Sequence, residues 1–139
     1  METLGYIAKF VKRHHVLTLA TTSTGGVPYC SNAFYAYDAK RNVLIFTSDY
    51  ATRHAAEMMA SATVAASIAV ETRIVGRVQG VQICGQVVEG DNADRLVYLK
   101  RFPYAAAMGA TPVWRIEPDF MKLTDNTLGF GKKLIWRRD

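Results

Sequence analysis

The spacing of apolar residues divides the chain into helix-like and strand-like segments. Near the start, Leu4, Ile7, Ala8 and Val11 recur at the i, i+3, i+4, i+7 spacing of one helical face, which predicts an amphipathic helix over residues 3–14. Three strand-like segments then follow one another, separated by short turns, and predict an antiparallel meander over residues 16–22, 29–37 and 43–48. In the second segment, alternate residues fall on opposite faces of the strand.

Two further helices are predicted in the remainder of the chain. The first covers residues 52–60, where Thr52 or Asp49 can cap the helix start. The second lies within residues 91–103 and ends at its proline, because proline cannot continue a helix. Three residues of this helix are expected to face inward: Leu96, Leu99 and Phe102.

The other segments have strand character. Residues 63–70 are apolar enough to predict a strand that is buried on both faces, and residues 80–90 alternate, with Gly85 suggesting a bulge. The tail predicts three more strands, over residues 113–118, 120–126 and 133–138. Six or seven strands with two or three short helices predict an α+β fold, a mainly antiparallel and barrel-like sheet in one domain over residues 1–139.

Composition narrows the class of protein. Half of the 139 residues are hydrophobic and 21% are charged, as in ordinary globular domains. Cys30 and Cys84 lie within apolar or alternating runs and are expected to be buried thiols rather than a disulfide framework. No apolar run has the ~18 residues that a membrane span needs, and the first residues do not resemble a secretory signal. We therefore expect a cytoplasmic protein with no membrane partner.

The positive charge changes this picture only slightly. The net charge is +5, and much of the excess lies in residues 12–15 and 132–138. A modest excess of this kind favours a solvated surface or a site for a small anion over nucleic-acid binding. His14 and His15 are adjacent and cannot easily share a metal ion, and no metal-binding or triad motif occurs, so we expect no metal site.

The candidate chemistry lies in the segment TSDYATRHAAEMM, where a strand turns into a helix. The start of a helix leaves backbone N–H groups without partners and carries partial positive charge, so it can bind a phosphate. Arg53 and a protonated His54 can add charged hydrogen bonds, and hydroxyl groups stand close by in sequence at Thr47, Ser48 and Thr52. The alternative is a capped helix whose arginine and histidine are merely solvated.

This segment resembles the flavin-binding split barrels related to pyridoxamine phosphate oxidase. That superfamily has an aromatic-Thr-polar strand end followed by Ser-Arg-Lys at the helix start. Here the residues are Phe46-Thr47-Ser48 and Thr52-Arg53-His54, with one extra turn residue and a histidine where lysine is usual. The blocks SNAFY and TDNTLGFGKKLIW add a closer resemblance to a group of small bacterial proteins of this fold, which implies the fold more strongly than the function.

The resemblance implies a homodimer that binds FMN. The flavin ring is then expected along the second and third strands, at six positions: Asn32, Ala33, Phe34, Tyr35, Phe46 and Thr47. Gln79 and Gln82 match positions from which a partner subunit often adds polar contacts. The alternative interpretation is that the aromatic residues pack within the sheet and that the two glutamines are simply exposed strand residues. Lys132 is expected either to face water on a hairpin or to contact an anion from the second subunit.

Two classes of function remain open from the sequence. The first is a flavin-dependent oxidoreductase that acts on an unknown small substrate, in which the flavin supplies the chemistry and no side chain is identified as catalytic. The second is a non-enzymatic module of the same fold that carries or senses flavin, haem or another anionic ligand, or a barrel that has lost its cofactor. Fold alone does not choose between them.

Overall fold

The predicted periodicities correspond to three α-helices and seven β-strands in the computed structural model, which describes residues 2–139. The helices are α1 (Thr3–Arg13), α2 (Arg53–Ala60) and α3 (Asn92–Arg101). The strands are β1 (Val16–Thr22), β2 (Pro28–Asp38), β3 (Val43–Thr47), β4 (Thr63–Ala69), β5 (Gln79–Glu89), β6 (Val113–Asp125) and β7 (Lys133–Arg137). Short 3₁₀ turns occur at Val75–Arg77, Pro103–Met108 and Asn126–Leu128.

Six of the strands close into a barrel. Every pair of neighbouring strands is antiparallel, and the sheet order is β3-β2-β1-β4-β5-β6-β7. An additional pairing of β3 with the first half of β6 joins the two ends, and β7 pairs with the second half of β6 outside the closed part. This arrangement confirms the predicted α+β barrel. Closure removes exposed strand edges that would otherwise invite aggregation.

Strand β6 differs from the prediction, which divided it into two strands. It runs unbroken from residue 113 to residue 125 and passes through Pro118. The register against β5 shifts between Cys84 and Gly85, which pair with Phe120 and Pro118 and leave Asp119 as an extra residue. Proline lacks an N–H donor and is tolerated within sheets at such bulges. The predicted bulge at Gly85 is confirmed, and it explains why the proline does not end β6.

Three other predictions about burial are wrong. Strand β4 alternates between buried and accessible residues instead of being buried on both faces. Of the three residues predicted to face inward from α3, Leu96 is 68% exposed, whereas Leu99 and Phe102 pack against the sheet as predicted, together with Tyr98. Both cysteines are exposed, because their positions fall on the outer face of alternating strands. Apolar composition alone did not identify which face of each element is covered.

The apolar residues form two clusters. The larger one fills the barrel and includes residues of α1 and α2, such as Ile7 and Met58, together with inward residues of the strands. The smaller one lies between α3 and the outer face of β2 and β3, where Ala36 and Ile45 contact Tyr98. Full burial of a large apolar side chain contributes about 1.5–3 kcal/mol. Helix α3 is therefore held on the outside of the barrel, next to the strands that the resemblance assigns to flavin.

A buried carboxylate fixes α3 to the sheet. Asp91 caps the helix by accepting the N–H of Asp94 at 3.0 Å, and Asp94 accepts the N–H of Asp91 at 3.0 Å in return. The Asp94 side chain is fully buried and forms ion pairs with Arg115 at 2.7 Å and with Arg41 at 2.8 Å. These contacts join α3 to β6 and to the turn between β2 and β3.

Residues 2–139 contain neither a membrane-spanning helix nor a cluster of metal ligands. None of the helices there combines the length and the apolar character that a membrane span requires. In the same residues, no group of three or more His, Cys, Asp or Glu side chains is arranged to hold a metal ion.

Candidate functional site

The turn between β3 and α2 is fixed to the barrel by backbone hydrogen bonds. The N–H of Ser48 donates to the carbonyl of Pro112 at 3.1 Å, and Trp114 Nε1 donates to the carbonyl of Ser48 at 3.1 Å. The side chain of Asp49 accepts the N–H of Ala51 at 3.0 Å, which closes a short Asx turn before the helix. The start of α2 is therefore held in one place relative to β3 and β6.

Thr52 is the N-cap of α2. Its hydroxyl accepts the N–H of Ala55 at 3.2 Å, so one of the unpaired donors of the first turn is satisfied. The N–H groups of Arg53 and His54 have no acceptor among residues 2–139. These two donors, with the partial positive charge of the helix start, remain available to an anion.

Arg53 is held in place by two neighbours. Its Nε donates to Glu57 at 3.1 Å, and its guanidinium group lies over the ring of Tyr29, 4.1 Å from the centroid. Glu57 is in turn buried and accepts the hydroxyl of Thr21 at 2.7 Å. The Thr21 hydroxyl, followed by the Arg53 guanidinium, lowers the pKa of Glu57 despite the opposing effect of burial. The two terminal amino groups of Arg53 donate to no group within residues 2–139.

His54 points the other way, toward the turn. Its Nε2 shares a hydrogen bond of 2.5 Å with Ser48 Oγ, which also lies 3.1 Å from the hydroxyl of Thr52. Burial lowers the pKa of His54, and Glu57 opposes this only in part. The neutral ring is therefore favoured at physiological pH. The predicted hydroxyl donors Ser48 and Thr52 are brought together with His54, and their hydrogen bonds are largely made to one another and to the helix.

The positions assigned to the flavin ring lie on two faces of the sheet. Asn32 and Phe34 point outward, and Asn32 accepts the hydroxyl of Thr18 at 3.0 Å. Phe34 is 53% exposed and contacts Phe102 edge-on, with ring centroids 5.9 Å apart. Ala33 instead faces the barrel core, and Tyr35 and Phe46 are fully buried in it, so only the backbone of these three residues is available to a ligand on the outer face.

Thr47 is separated from the hydroxyls of the turn. It lies on the opposite face of β3 from Phe46 and lines a small hollow with Tyr98 and Leu99 of α3. Continuing the β2–β3 register by one residue places Thr47 opposite Phe34. The outer face of these two strands therefore presents an aromatic ring and a hydroxyl beside the end of α3.

The three residues considered for a partner subunit lie elsewhere. Gln79 accepts a hydrogen bond from Arg13 at 3.2 Å, and Gln82 is exposed between Ser67 and Lys122 on the neighbouring strands. Lys132 lies on the exposed turn before β7, where its carbonyl accepts the N–H of Asp125 at 2.9 Å. None of the three forms a hydrogen bond with a residue of α2 or of the turn before it.

Three residues of this site were missed from the sequence: Thr21, Tyr29 and Glu57. The spacing of Arg53 and Glu57, four residues apart on a helix, is a signal that could have identified their ion pair. Thr21 and Tyr29 pair across β1 and β2, directly below α2. No local pattern indicates that a strand pair and a helix meet there.

Comparison with known proteins identifies relatives of the whole chain. The family model for pyridoxamine 5′-phosphate oxidase matches residues 5–125. The UPF0306 protein YhbP of Salmonella paratyphi A is 43% identical over 143 aligned positions, which cover 100% of this chain and 96% of the relative.

Solved structures show the same fold at low sequence identity. A heme-binding protein from Mycobacterium smegmatis superposes with a TM-score of 0.83 at 15% identity, over 99% of this chain and 58% of that one. An FAD-binding protein from Mesorhizobium loti superposes with a TM-score of 0.71 at 16% identity, over 88% of this chain and 94% of that one. Proteins that share this fold thus bind different prosthetic groups.

Proposed function

The chain belongs to the pyridoxamine 5′-phosphate oxidase family, and we propose that it binds FMN with the phosphate at the start of α2. The observation that carries the proposal is the position of Arg53. It is held by Glu57 and Tyr29 with both terminal amino groups unpaired among residues 2–139, next to two unpaired backbone N–H groups. Guanidinium and backbone N–H groups are the donors that phosphate-binding sites use.

The arrangement of these residues is better explained by a site for the phosphate of FMN than by a helix start that is merely solvated. A solvated arginine needs no partner, whereas Arg53 is restrained at Nε and over one ring face, so little further side-chain freedom is lost on binding. His54 contributes through its backbone N–H rather than as a cation, because burial lowers the pKa of its ring. Arg53 therefore supplies most of the side-chain charge of this site.

The ring of FMN would lie on the outer face of β2 and β3. Phe34 and Thr47 are the outward side chains there, and the end of α3 provides an apolar wall with Leu99 and Phe102. When bound, the flavin supplies the chemistry, by accepting a hydride from a small donor and passing the electrons on. The side chains at this face are apolar or neutral, so they can position and shield a ring but do not offer acid–base catalysis.

The apolar and neutral side chains on the outer face of β2 and β3 also support the second candidate, a non-enzymatic carrier or sensor of flavin or haem. The two candidates differ in turnover. In air, with dioxygen as the electron acceptor, an oxidoreductase with FMN bound oxidises NADH or NADPH over many cycles, whereas a carrier oxidises no more nicotinamide than free FMN does. Absorbance at 340 nm during aerobic incubation, with free FMN as the control, distinguishes them.

A titration followed by flavin fluorescence tests the proposed phosphate site. A charge-assisted hydrogen bond contributes about 1.5–3 kcal/mol, so Arg53→Ala is expected to weaken FMN binding by about 10- to 150-fold. Riboflavin, which lacks the phosphate, should bind both proteins weakly and about equally. Arg73→Ala is the matched control, since Arg73 is exposed and forms no ion pair within residues 2–139.

The outcomes of this titration are distinct. Equal affinity of the wild-type protein for FMN and riboflavin would show that the α2 corner does not bind phosphate. Binding of neither flavin would show a barrel without this cofactor, and haem would then be the ligand to titrate. Equal losses in Arg53→Ala and Arg73→Ala would indicate a general effect of charge instead of a contact.

We further propose that two copies associate through the outer face of β1, β2, β4 and β5. Two rows of small or uncharged side chains cross these strands side by side: Cys30, Ala20, Ala65 and Cys84 in one row, and Asn32, Thr18, Ser67 and Gln82 in the other. None of these residues is charged, which is unusual for a solvated sheet face and typical of protein interfaces. A two-fold axis through this face would place the exposed Phe34 of each copy at the rim of the interface.

A further inference from the structure

A basic groove lies where the end of α1, the turn between β2 and β3, and the end of α3 meet. Its volume is about 570 Å³. Nine residues line it: Lys12, Ala36, Tyr37, Asp38, Ala39, Lys40, Val97, Lys100 and Arg101. It shares no residue with the α2 corner, where the flavin phosphate is proposed, and it borders the outer face of β2 and β3 at Ala36 and at Arg101, which contacts Phe102.

The charges of the groove are predominantly positive and are not neutralised by neighbours. Lys12, Lys40 and Lys100 come from three different elements, and none of them pairs with a carboxylate within residues 2–139. Asp38 is the one acidic residue among the lining residues. It is already bound by Arg41 Nε at 2.7 Å and by the N–H of Lys40 at 3.1 Å.

Arg101 provides a rigid cation at one end of the groove. Its Nη1 donates to the carbonyl of Tyr35 at 3.2 Å, and its Nη2 donates to the carbonyl of His14 at 2.6 Å. The guanidinium group also lies 5.6 Å from the ring centroids of both Tyr35 and Phe102. Both hydrogen-bond partners are neutral carbonyls, so the positive charge of Arg101 is oriented and not cancelled.

A simpler explanation is that these cations only complement helix dipoles. Lys12 lies in the last turn of α1, and Lys100 and Arg101 lie in the last turn of α3. Each helix end carries about half a negative charge, which offsets roughly one of the cations. Asp38 offsets another, and about two positive charges remain. Tyr37 adds no negative charge, because burial and then Asp38 raise the pKa of its phenol to about 12.

We propose that this groove binds a small ligand that carries a pyrophosphate-type group and an apolar or aromatic body. Lysines from three elements and one fixed arginine can surround a group with several anionic oxygens. Ala36, Ala39 and Val97 supply apolar surface in the same groove, and its volume is within the usual 300–1,000 Å³ of small-molecule sites. A nucleic-acid surface would need a longer basic strip than one groove provides.

Calorimetric titration of inorganic pyrophosphate at low ionic strength tests the proposal. The double variant Lys40→Gln, Lys100→Gln should weaken binding by about tenfold or more, since two charged contacts are removed. The matched double variant Lys132→Gln, Lys133→Gln changes the net charge equally at the exposed start of β7, outside the residues that line the groove, and should change the affinity by no more than about twofold. Absence of binding to the wild-type protein, or equal weakening in both double variants, would overturn the proposal.

A second titration tests the apolar part of the ligand. ADP should bind the wild-type protein more tightly than pyrophosphate does, because its nucleoside can cover the apolar residues of the groove. Adenosine alone should bind at least tenfold more weakly than ADP. If ADP is no better than pyrophosphate, the groove does not select the body of the ligand and the proposed ligand class is wrong.

Discussion

The ion pairs of Asp94 make the stability of this protein sensitive to a single isosteric substitution. Asp94→Asn keeps the shape of the side chain and can still accept the N–H of Asp91. It removes the negative charge that Arg41 and Arg115 contact at 2.8 and 2.7 Å. The Asp94 side chain is fully buried, so water does not reach the carboxylate itself.

The expected loss in the free energy of unfolding depends on how exposed Arg41 and Arg115 are. Loss of one member of a fully buried ion pair costs about 3–5 kcal/mol, largely because the other charge is left without solvent. Here the side chains of Arg41 and Arg115 are 38% and 20% exposed and can be hydrated after the substitution. We therefore expect a loss of about 2–3 kcal/mol, which corresponds to a fall in Tm of about 7–10 °C for a domain of this size.

The loss should depend on pH with a definite sign. Burial raises the pKa of Asp94, but the Asp91 N–H and the guanidinium groups of Arg41 and Arg115 outweigh it and lower the pKa below its usual range. A carboxyl whose folded pKa is lowered stabilises the protein above its unfolded pKa, and this contribution disappears as the pH falls through the folded pKa. The difference between wild type and Asp94→Asn should be constant from about pH 7 to 5 and should shrink below about pH 4.

Urea denaturation of both proteins at several pH values measures this difference. Asp119→Asn is the matched control, because Asp119 pairs with Arg138 at 3.2 Å and both side chains are about half exposed. An exposed pair of this kind contributes about 0–1 kcal/mol. A loss below 1 kcal/mol in Asp94→Asn, or a difference that stays the same at pH 3, would refute the assignment of stability to the buried carboxylate.

Three further predictions concern the bulge, the assembly and the net charge. Gly85→Ala should destabilise the fold by about 1–3 kcal/mol in urea denaturation, because a Cβ there would lie 2.4 Å from the carbonyl oxygen of Glu117, whereas Gly76→Ala meets nothing within 4 Å and should be neutral. Light scattering should give about twice the 15.4 kDa chain mass at micromolar concentration, and Ala20→Glu should give a folded monomer by circular dichroism; a monomeric wild type would contradict the proposed interface. Duplex or single-stranded nucleic acid should show no gel shift at physiological salt and low-micromolar protein, because the basic groove is too short to contact many phosphates of a nucleic-acid backbone.

Most elements were predictable because their apolar residues recur at the period of a helix or of a strand. Helical spacing identified α1 and alternation identified β2, since one face of each is covered by the barrel interior. Strand β3 was identified by its continuous apolar run instead, and its residues 43–46 are buried on both faces, by the barrel interior and by α3. The continuity of β6 was not predictable in the same way. Pro118 normally ends a central strand, and it is tolerated here only because the bulge opposite Gly85 removes the need for its N–H. That compensation involves a residue more than thirty positions away in the sequence.

The features of the candidate site that depend on local sequence were predictable, whereas those that depend on contacts between distant parts of the chain were not. The cap at Thr52 and the position of Arg53 at the helix start follow from local sequence, and the structure agrees with both. Tyr29 and Thr21 reach the site through strand pairing and through the packing of α2 against the end of the barrel. Which strand residues can contact a ligand depends on the face of the sheet they occupy. Ala33 points into the core and Asn32 does not, and the sequence does not indicate which of the two faces is inside.

The hydrogen bond between His54 and Ser48 changes what the α2 corner can do. Lysine is usual at this position in the resembling proteins, and a lysine would carry its charge toward solvent or a ligand. The imidazole instead turns toward Ser48, where burial favours its neutral form, and it stabilises the turn that presents the helix start. The positive charge of the corner then comes from Arg53 and the backbone N–H groups, the donors that we propose for a phosphate, and none of them is suited to transfer a proton. If the proposed FMN site is correct, these groups would hold the cofactor and the reactive steps would fall to the flavin itself.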